Sequence, residues 1–153
     1  MSFPSELGAP PRAHFDTLRS WTDNADLGIR YFSGTATYTK NVSVPRTWLR
    51  RDARVVIDLG VVKNVAEIRA NGISCGVLWK APFRKDLTDC LQAGSNVLEI
   101  QITNLWPNRL IGDHQPDAKK IAFAAYDPFK ADSPLLPSGL LGPVALSLQS
   151  AEH

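Results

Sequence analysis

Apolar residues recur at every second position over most of this chain, and that period restricts the backbone to extended strands with one dry face. From Phe32 to Val44 the even positions read Phe, Gly, Ala, Tyr, Lys, Val, Val, and the odd ones Ser, Thr, Thr, Thr, Asn, Ser. Val55, Ile57 and Leu59 alternate with Val56 and Asp58, and Ala66, Ile68 and Ala70 with Glu67, Arg69 and Asn71. Leu98, Ile100 and Ile102 are expected to point inward opposite Glu99, Gln101 and Thr103, and Val144, Leu146 and Leu148 opposite Ala145, Ser147 and Gln149. Asn71-Gly72 joins two such runs and predicts a tight hairpin, because both residues tolerate positive φ. The return strand runs from Ile73 to about Trp79, and Pro82 ends it. Asp86 to Leu91 reads as a short helical turn closed by Gly94 and Asn96. No helix of three turns is expected. The prediction is an all-β fold, an antiparallel β-sandwich or barrel of six or more strands.

Residues 1–28 read as an irregular leader packing on a single β-sandwich domain at residues 29–150, with Trp21 plugging one end and a short helical turn between His14 and Asp26. Residues 114–137 form a second irregular stretch, punctuated by Pro116, Pro128, Pro134 and Pro137. A structureless segment that long is functional or mobile. The 153 residues suit one domain with a real core.

Seventeen Lys plus Arg against fifteen Asp plus Glu leave +2, too weak a bias to argue for nucleic acid or a membrane surface. The basic cluster Arg46, Arg50, Arg51, Arg54 reads as a solvated connection between strands. No apolar run approaches the roughly 18 residues of a membrane helix, and Met1 to Leu7 lacks the basic and apolar regions of a signal peptide. Cys75 and Cys90 could pair, but both sit among apolar neighbours and two cysteines make no disulfide framework, so buried free thiols are the favoured reading.

Known catalytic motifs are absent: no nucleophile elbow, phosphate loop or zinc-protease helix occurs. His14, His114 and His153 lack ligand spacing. Glycoside hydrolysis needs two carboxylates roughly 5 to 9.5 Å apart, and six scattered aspartates (Asp58, Asp86, Asp89, Asp113, Asp117, Asp127) read as surface and turn residues.

One segment gathers amide, indole, guanidinium and carboxylate chemistry where a strand runs out: Thr103-Asn-Leu-Trp-Pro-Asn-Arg-Leu-Ile-Gly-Asp113. Read as a loop, it offers an aromatic face and paired hydrogen-bonding groups, the means of holding a sugar ring. Trp106 is the first candidate platform, with Asn108, Arg109 and Asp113 orienting a ligand and Trp79 and Asn104 in support. Each has a plainer role open to it. Trp106 would cap the sandwich, and Trp79 would pack in the core. Arg109 and Asp113 would form a salt bridge, and Asn104 and Asn108 would hold turn backbone. Tyr31 and Tyr126 are weaker candidates. Gly139, Gly142 and Pro143 read as turn punctuation.

The order Tyr31-Phe-Ser-Gly-Thr-Ala-Thr-Tyr38, Ile57-Asp-Leu-Gly60, Ala66-Glu-Ile-Arg-Ala-Asn-Gly72, Leu78-Trp-Lys-Ala-Pro82, Asp86-Leu-Thr88, Gly94-Ser-Asn-Val-Leu98, then Thr103 to Asp113 and Leu136-Pro-Ser-Gly-Leu-Leu-Gly-Pro-Val144 resembles a known domain. It is similar to the C-terminal β-sandwich of family 106 glycoside hydrolases, the α-L-rhamnosidase type. More loosely it resembles the sugar-binding jelly roll of family 2 enzymes and the galactose-binding-like fold. The resemblance covers about Ser20 to Leu148, and the two late motifs are its specific part. In such enzymes the catalytic acids belong to a separate barrel of roughly 250 residues, for which this chain has no room. The resemblance therefore implies a non-catalytic, carbohydrate-binding accessory domain whose partners are an oligo- or polysaccharide and the catalytic domain of a parent glycosidase. The alternative it implies is a domain that docks on the barrel with no sugar affinity of its own. A bacterial parent, secreted or periplasmic, is expected. No cofactor is required. A structural calcium ion suits this fold class, with no ligands assigned. One departure stands out: the family carries a longer, tryptophan-bearing insertion where this chain has Phe123-Ala-Ala-Tyr-Asp-Pro-Phe129, which puts any pocket built there in question.

Overall fold

The structure, a computed structural model, describes residues 1–150. Nine strands fold as an antiparallel sandwich: β1 (Thr35–Val44), β2 (Ala53–Asp58), β3 (Val61–Lys63), β4 (Val65–Ala70), β5 (Ile73–Leu78), β6 (Arg84–Asp86), β7 (Gly94–Thr103), β8 (Gly139–Gly142) and β9 (Ala145–Ser150). One sheet runs β1-β7-β4-β5, a second β6-β2-β9, and β3 pairs with β8 alone. Ala36, Ala66, Ile68, Ala70, Leu98, Ile100 and Ile102 from the first sheet meet Ile57 of the second in one buried cluster. The period-two pattern placed these side chains because neighbouring positions of a strand face opposite ways.

The hairpin forms at Asn71-Gly72, with φ of 52° and 79°. Its Asn71 amide also donates to Asn96 Oδ1 (2.8 Å), and Asn71 Oδ1 accepts from the Val97 amide (3.0 Å), tying the turn to β7. The short turn after Asp86 is a 3-10 turn at Thr88–Cys90. Residues 1–28 contribute Phe3, Ala9 and Trp21 to the core, and Ser2 bridges to Thr37 of β1. A 3-10 turn at Trp21–Asp23 precedes helix α1 (Leu27–Arg30). Trp21 is fully buried, edge-on to Phe3 and Phe32 and stacked on Tyr38, whose hydroxyl takes its indole N–H at 2.6 Å.

Four local expectations need correction. The first strand begins at Thr35, not Phe32, because Phe32 to Gly34 bond to Asn104 and Leu105 instead of a neighbouring strand. Leu148 pairs with buried Val55 on the inner face, but it lies on edge strand β9 and is 39% exposed, so the core does not cover it. Gly139 and Gly142 are strand residues of β8 rather than turn punctuation. A Cβ on Gly139 would sit 2.5 Å from the Trp21 indole nitrogen, so tight packing reserves that position for glycine. The fourth correction is the largest. Thr103 to Asp113 is no loop, because Pro107–Asp113 forms helix α2.

Candidate functional site

Strand register brings the candidate residues to one end of the four-stranded sheet. Thr35 pairs with Thr103, Thr103 with Val65, and Ala66 with Leu78. The start of β1, the ends of β7 and β5 and the start of β4 therefore share an edge, where Trp79 follows β5 and α2 follows β7. Proline is suited to the first helical position because its missing N–H has no partner there. Pro107 occupies that position, and α2 places Arg109 one turn before Asp113.

Four of the six candidate residues are bonded internally. Asn104 donates its amide to the Phe32 carbonyl (2.8 Å) and accepts from the Gly34 amide (2.9 Å). Asn108 grips the Leu136 backbone in both directions, donating at 2.7 Å and accepting at 2.8 Å. Arg109 Nε and Nη2 both reach Asp113 Oδ1 at 3.0 Å, with each side chain 6% exposed. The other Asp113 oxygen accepts from the Ile121 and Ala122 amides at 3.1 and 2.8 Å. These groups stitch α2 to the start of β1 and to the irregular segment behind it. A buried carboxylate with a guanidinium and two amides has little capacity left for a ligand.

The indoles behave differently. Trp106 is 55% exposed and Trp79 69%, and Lys80 Nζ lies 5.2 Å over the Trp79 ring. Trp79 therefore stands outside the core. Leu105 is also exposed, as are Phe123 and Tyr126 on the irregular segment. That segment is further tied down by Gln115, which donates to the Ala131 carbonyl, and by His114, 2.8 Å from Asp127. The His114 hydrogen bond holds the Asp127 carboxyl below its ordinary range.

Beside α2 lies a small pocket of about 200 Å³, lined by Lys63, Asn64, Leu105, Leu136, Pro137 and Ser138 together with Asn104 and Asn108. Lys63, Asn64 and Ser138 were not candidates from sequence. Ser138 stood within a quoted motif, whereas Lys63 and Asn64 carried no signal, since long-range pairing brings them here: Lys63 pairs with Gly139, and the Asn64 amide donates to the Thr103 carbonyl at 2.9 Å. A larger cavity of about 460 Å³ lies under residues His14 to Leu18, with mainly apolar walls including Phe15, Leu98 and Leu146. Among the described residues, no three His, Cys, Asp or Glu side chains converge as metal ligands.

Comparison with known proteins places this geometry. No family profile matches the chain. A protein of Formosa agariphila, provisionally named a beta-glucuronidase, is 39% identical over 172 residues, covering 97% of this chain and 15% of that protein. The structure of a rhamnosidase from Novosphingobium sp. PP1Y superposes with a TM-score of 0.92 at 40% identity, over 97% of this chain and 14% of that one. These relatives are glycoside hydrolases. A beta-glucuronidase from an uncultured Clostridium sp. aligns more loosely, with a TM-score of 0.51 at 30% identity over 57% of this chain and 15% of that one. The chain thus spans only about 15% of the length of the glycosidases it matches.

Proposed function

We propose that this chain is a non-catalytic accessory domain of a glycoside hydrolase and that its α2 end docks on the rest of the parent enzyme. The observation that carries this reading is the division of labour in Thr103 to Asp113. Its polar side chains are bonded inward, while Leu105 and Trp106 stand exposed beside them. Rigidly presented apolar side chains are what an intramolecular domain interface uses. The two relatives of near-equal identity carry different activity names. That supports a domain that follows the parent's architecture more than the sugar it cleaves. The match to the rhamnosidase supports a rhamnosidase-type parent; family 106 and a galactose-binding-like sandwich rest on the sequence resemblance.

The test is Leu105→Asp and Trp106→Ala in the parent enzyme and in this chain alone. Both substitutions lower the parent's melting temperature and activity. In the isolated chain, an exposed substitution such as Trp106→Ala changes stability by about 0.5 kcal/mol or less. A parent indifferent to both refutes docking through this end.

A second reading, direct carbohydrate binding, is favoured by the two exposed indoles at one end of the sheet. Titration calorimetry with rhamnose, galactose and pectin- or xylan-derived oligosaccharides tests it. No heat at millimolar ligand, or unchanged binding in Trp106→Ala, ends that reading.

A further inference from the structure

Strand β9, at the edge of the three-stranded sheet, leaves half of its backbone unpaired. The Val55 carbonyl accepts from the Leu87 amide at 2.8 Å and the Val55 amide donates to Thr88 Oγ1 at 2.9 Å, so both its backbone groups face the β6 side. Leu148, opposite Val55, then turns its own N–H and C=O away from β2, and by alternation so do Leu146 and Ser150. Among the described residues no backbone group bonds to them on that side. Open sheet edges are usually blunted by charge, proline, a bulge or short length. Strand β6 has only three residues, Arg84-Lys85-Asp86, and β5 carries a shift of register. The leader covers β1 at Thr37 through two bonds of 2.9 Å with Ser2. Strand β9, Ala145-Leu-Ser-Leu-Gln-Ser150, is a regular strand of six residues with none of these devices.

We propose that β9 pairs antiparallel with β9 of a second copy of this chain, about a two-fold axis at Leu148. The strand is self-complementary. A two-fold there sets Leu148 against its own counterpart and Leu146 against Ser150, so each outward backbone group of these residues meets a partner. The strand carries no charge, so no like charges meet across the axis. Leu146 and Leu148 lie on the inner face, opposite buried Ile57 and Val55, and Leu148 is still 39% exposed. The cavity of about 460 Å³ that Leu146 lines also touches Val42 of β1, so the two layers stand apart along this flank. An added strand continues the inner face over that gap, and its leucines take apolar surface on both copies out of water. The partner that fits is therefore an uncharged strand with apolar residues at alternate positions, as β9 itself is. The proposal rests on neither α2 docking nor sugar binding at the indoles.

Sedimentation velocity of the 153-residue chain, from micromolar to millimolar concentration, tests it. A monomer–dimer equilibrium is expected without larger species, because a two-fold contact closes on itself. Hydrogen exchange at the Leu146 and Leu148 amides slows as the dimer forms. Leu148→Pro removes an N–H that bonds nothing within the chain, at a position where edge strands accept proline. Leu148→Lys sets two like charges against each other at the axis. Each variant is expected to weaken dimerisation at least tenfold while keeping a cooperative unfolding transition. Where the proline variant loses that transition, Leu148→Lys decides. Parental dimerisation in a folded variant, unchanged exchange at the two leucines, or growth into larger species overturns the proposal. So does a chain that stays monomeric at millimolar concentration, a result that leaves this edge to another segment of a parent glycosidase.

Discussion

Arg109 and Asp113 form a buried ion pair across one turn of α2, with both guanidinium contacts at 3.0 Å on a single carboxylate oxygen. The second oxygen caps the Ile121 and Ala122 amides. One carboxylate thus joins the helix to the irregular segment that follows it. Removing one partner of such a pair leaves a charge stranded in a medium that cannot solvate it. Arg109→Ala is expected to cost about 3–5 kcal/mol by urea unfolding. In Asp113→Ala, hydrogen exchange at Ile121 and Ala122 accelerates first.

Glycine substitutions separate steric demand from backbone strain. Gly139 has φ of 95° and would drive a Cβ into the Trp21 indole, whereas Gly72 has φ of 79° with nothing within 4 Å. Gly72→Ala should cost roughly 1–2 kcal/mol, from the left-handed backbone alone. Gly139→Ala should exceed it by about 1–3 kcal/mol, the usual range for overpacking a core. Equal losses in paired thermal unfolding curves contradict this packing account.

Strands β2 and β6 are clipped by two acid–base pairs. Arg84 Nε lies 2.6 Å from Asp58, and Arg54 Nη1 lies 2.9 Å from Asp86. The Gly60 amide and then Arg84 hold the Asp58 carboxyl below its ordinary range. Burial pulls Asp86 upward, but the Thr88 hydroxyl and amide with Arg54 outweigh it and leave Asp86 lowered. A carboxyl lowered by folding stabilises the native state above its unfolded value and loses that contribution as pH falls through its folded value. Urea midpoints should therefore drop below about pH 4, less steeply in an Asp58→Asn, Asp86→Asn double variant. Identical profiles would remove these two groups from acid unfolding.

Burial, and then the neighbouring Cys90 thiol, push the Cys75 thiol up to about 12. The thiolate is the reactive form, so Cys75 is inert at neutral pH while folded. Both cysteines are free. Iodoacetamide at pH 8 should label Cys75 in urea and leave it unlabelled in buffer. Rapid labelling of Cys75 in the native chain contradicts its placement.

The sandwich was legible because each core strand advertises its inner face in the sequence. Ile68, Ile100 and Ile102 are buried where period two put them. Leu148 was misjudged because alternation reports orientation and not whether a second layer covers the strand, and β9 lies at a sheet edge. Helix α2 left a trace that polar composition obscured: Pro107 at its first position and the four-residue spacing of Arg109 and Asp113. Gly112 fits the same reading, since a Cβ there would lie 2.5 Å from the Tyr31 Cβ.

By itself the sequence determined six of the nine strands, the Asn71-Gly72 hairpin and the residue types gathered after β7, because periodicity and turn chemistry are local properties of a backbone. Tertiary structure alone decided which of those residues face water. Arg109, Asp113, Asn104 and Asn108 carry the same groups whether they bind a ligand or a helix, and only the packing of α2 against Phe32 to Gly34 and Ile121 to Leu136 turned them inward. The pocket lined by Lys63, Asn64 and Ser138 likewise depends on β3 pairing with β8 across about 75 residues of chain and on β4 pairing with β7, contacts that local patterning does not encode.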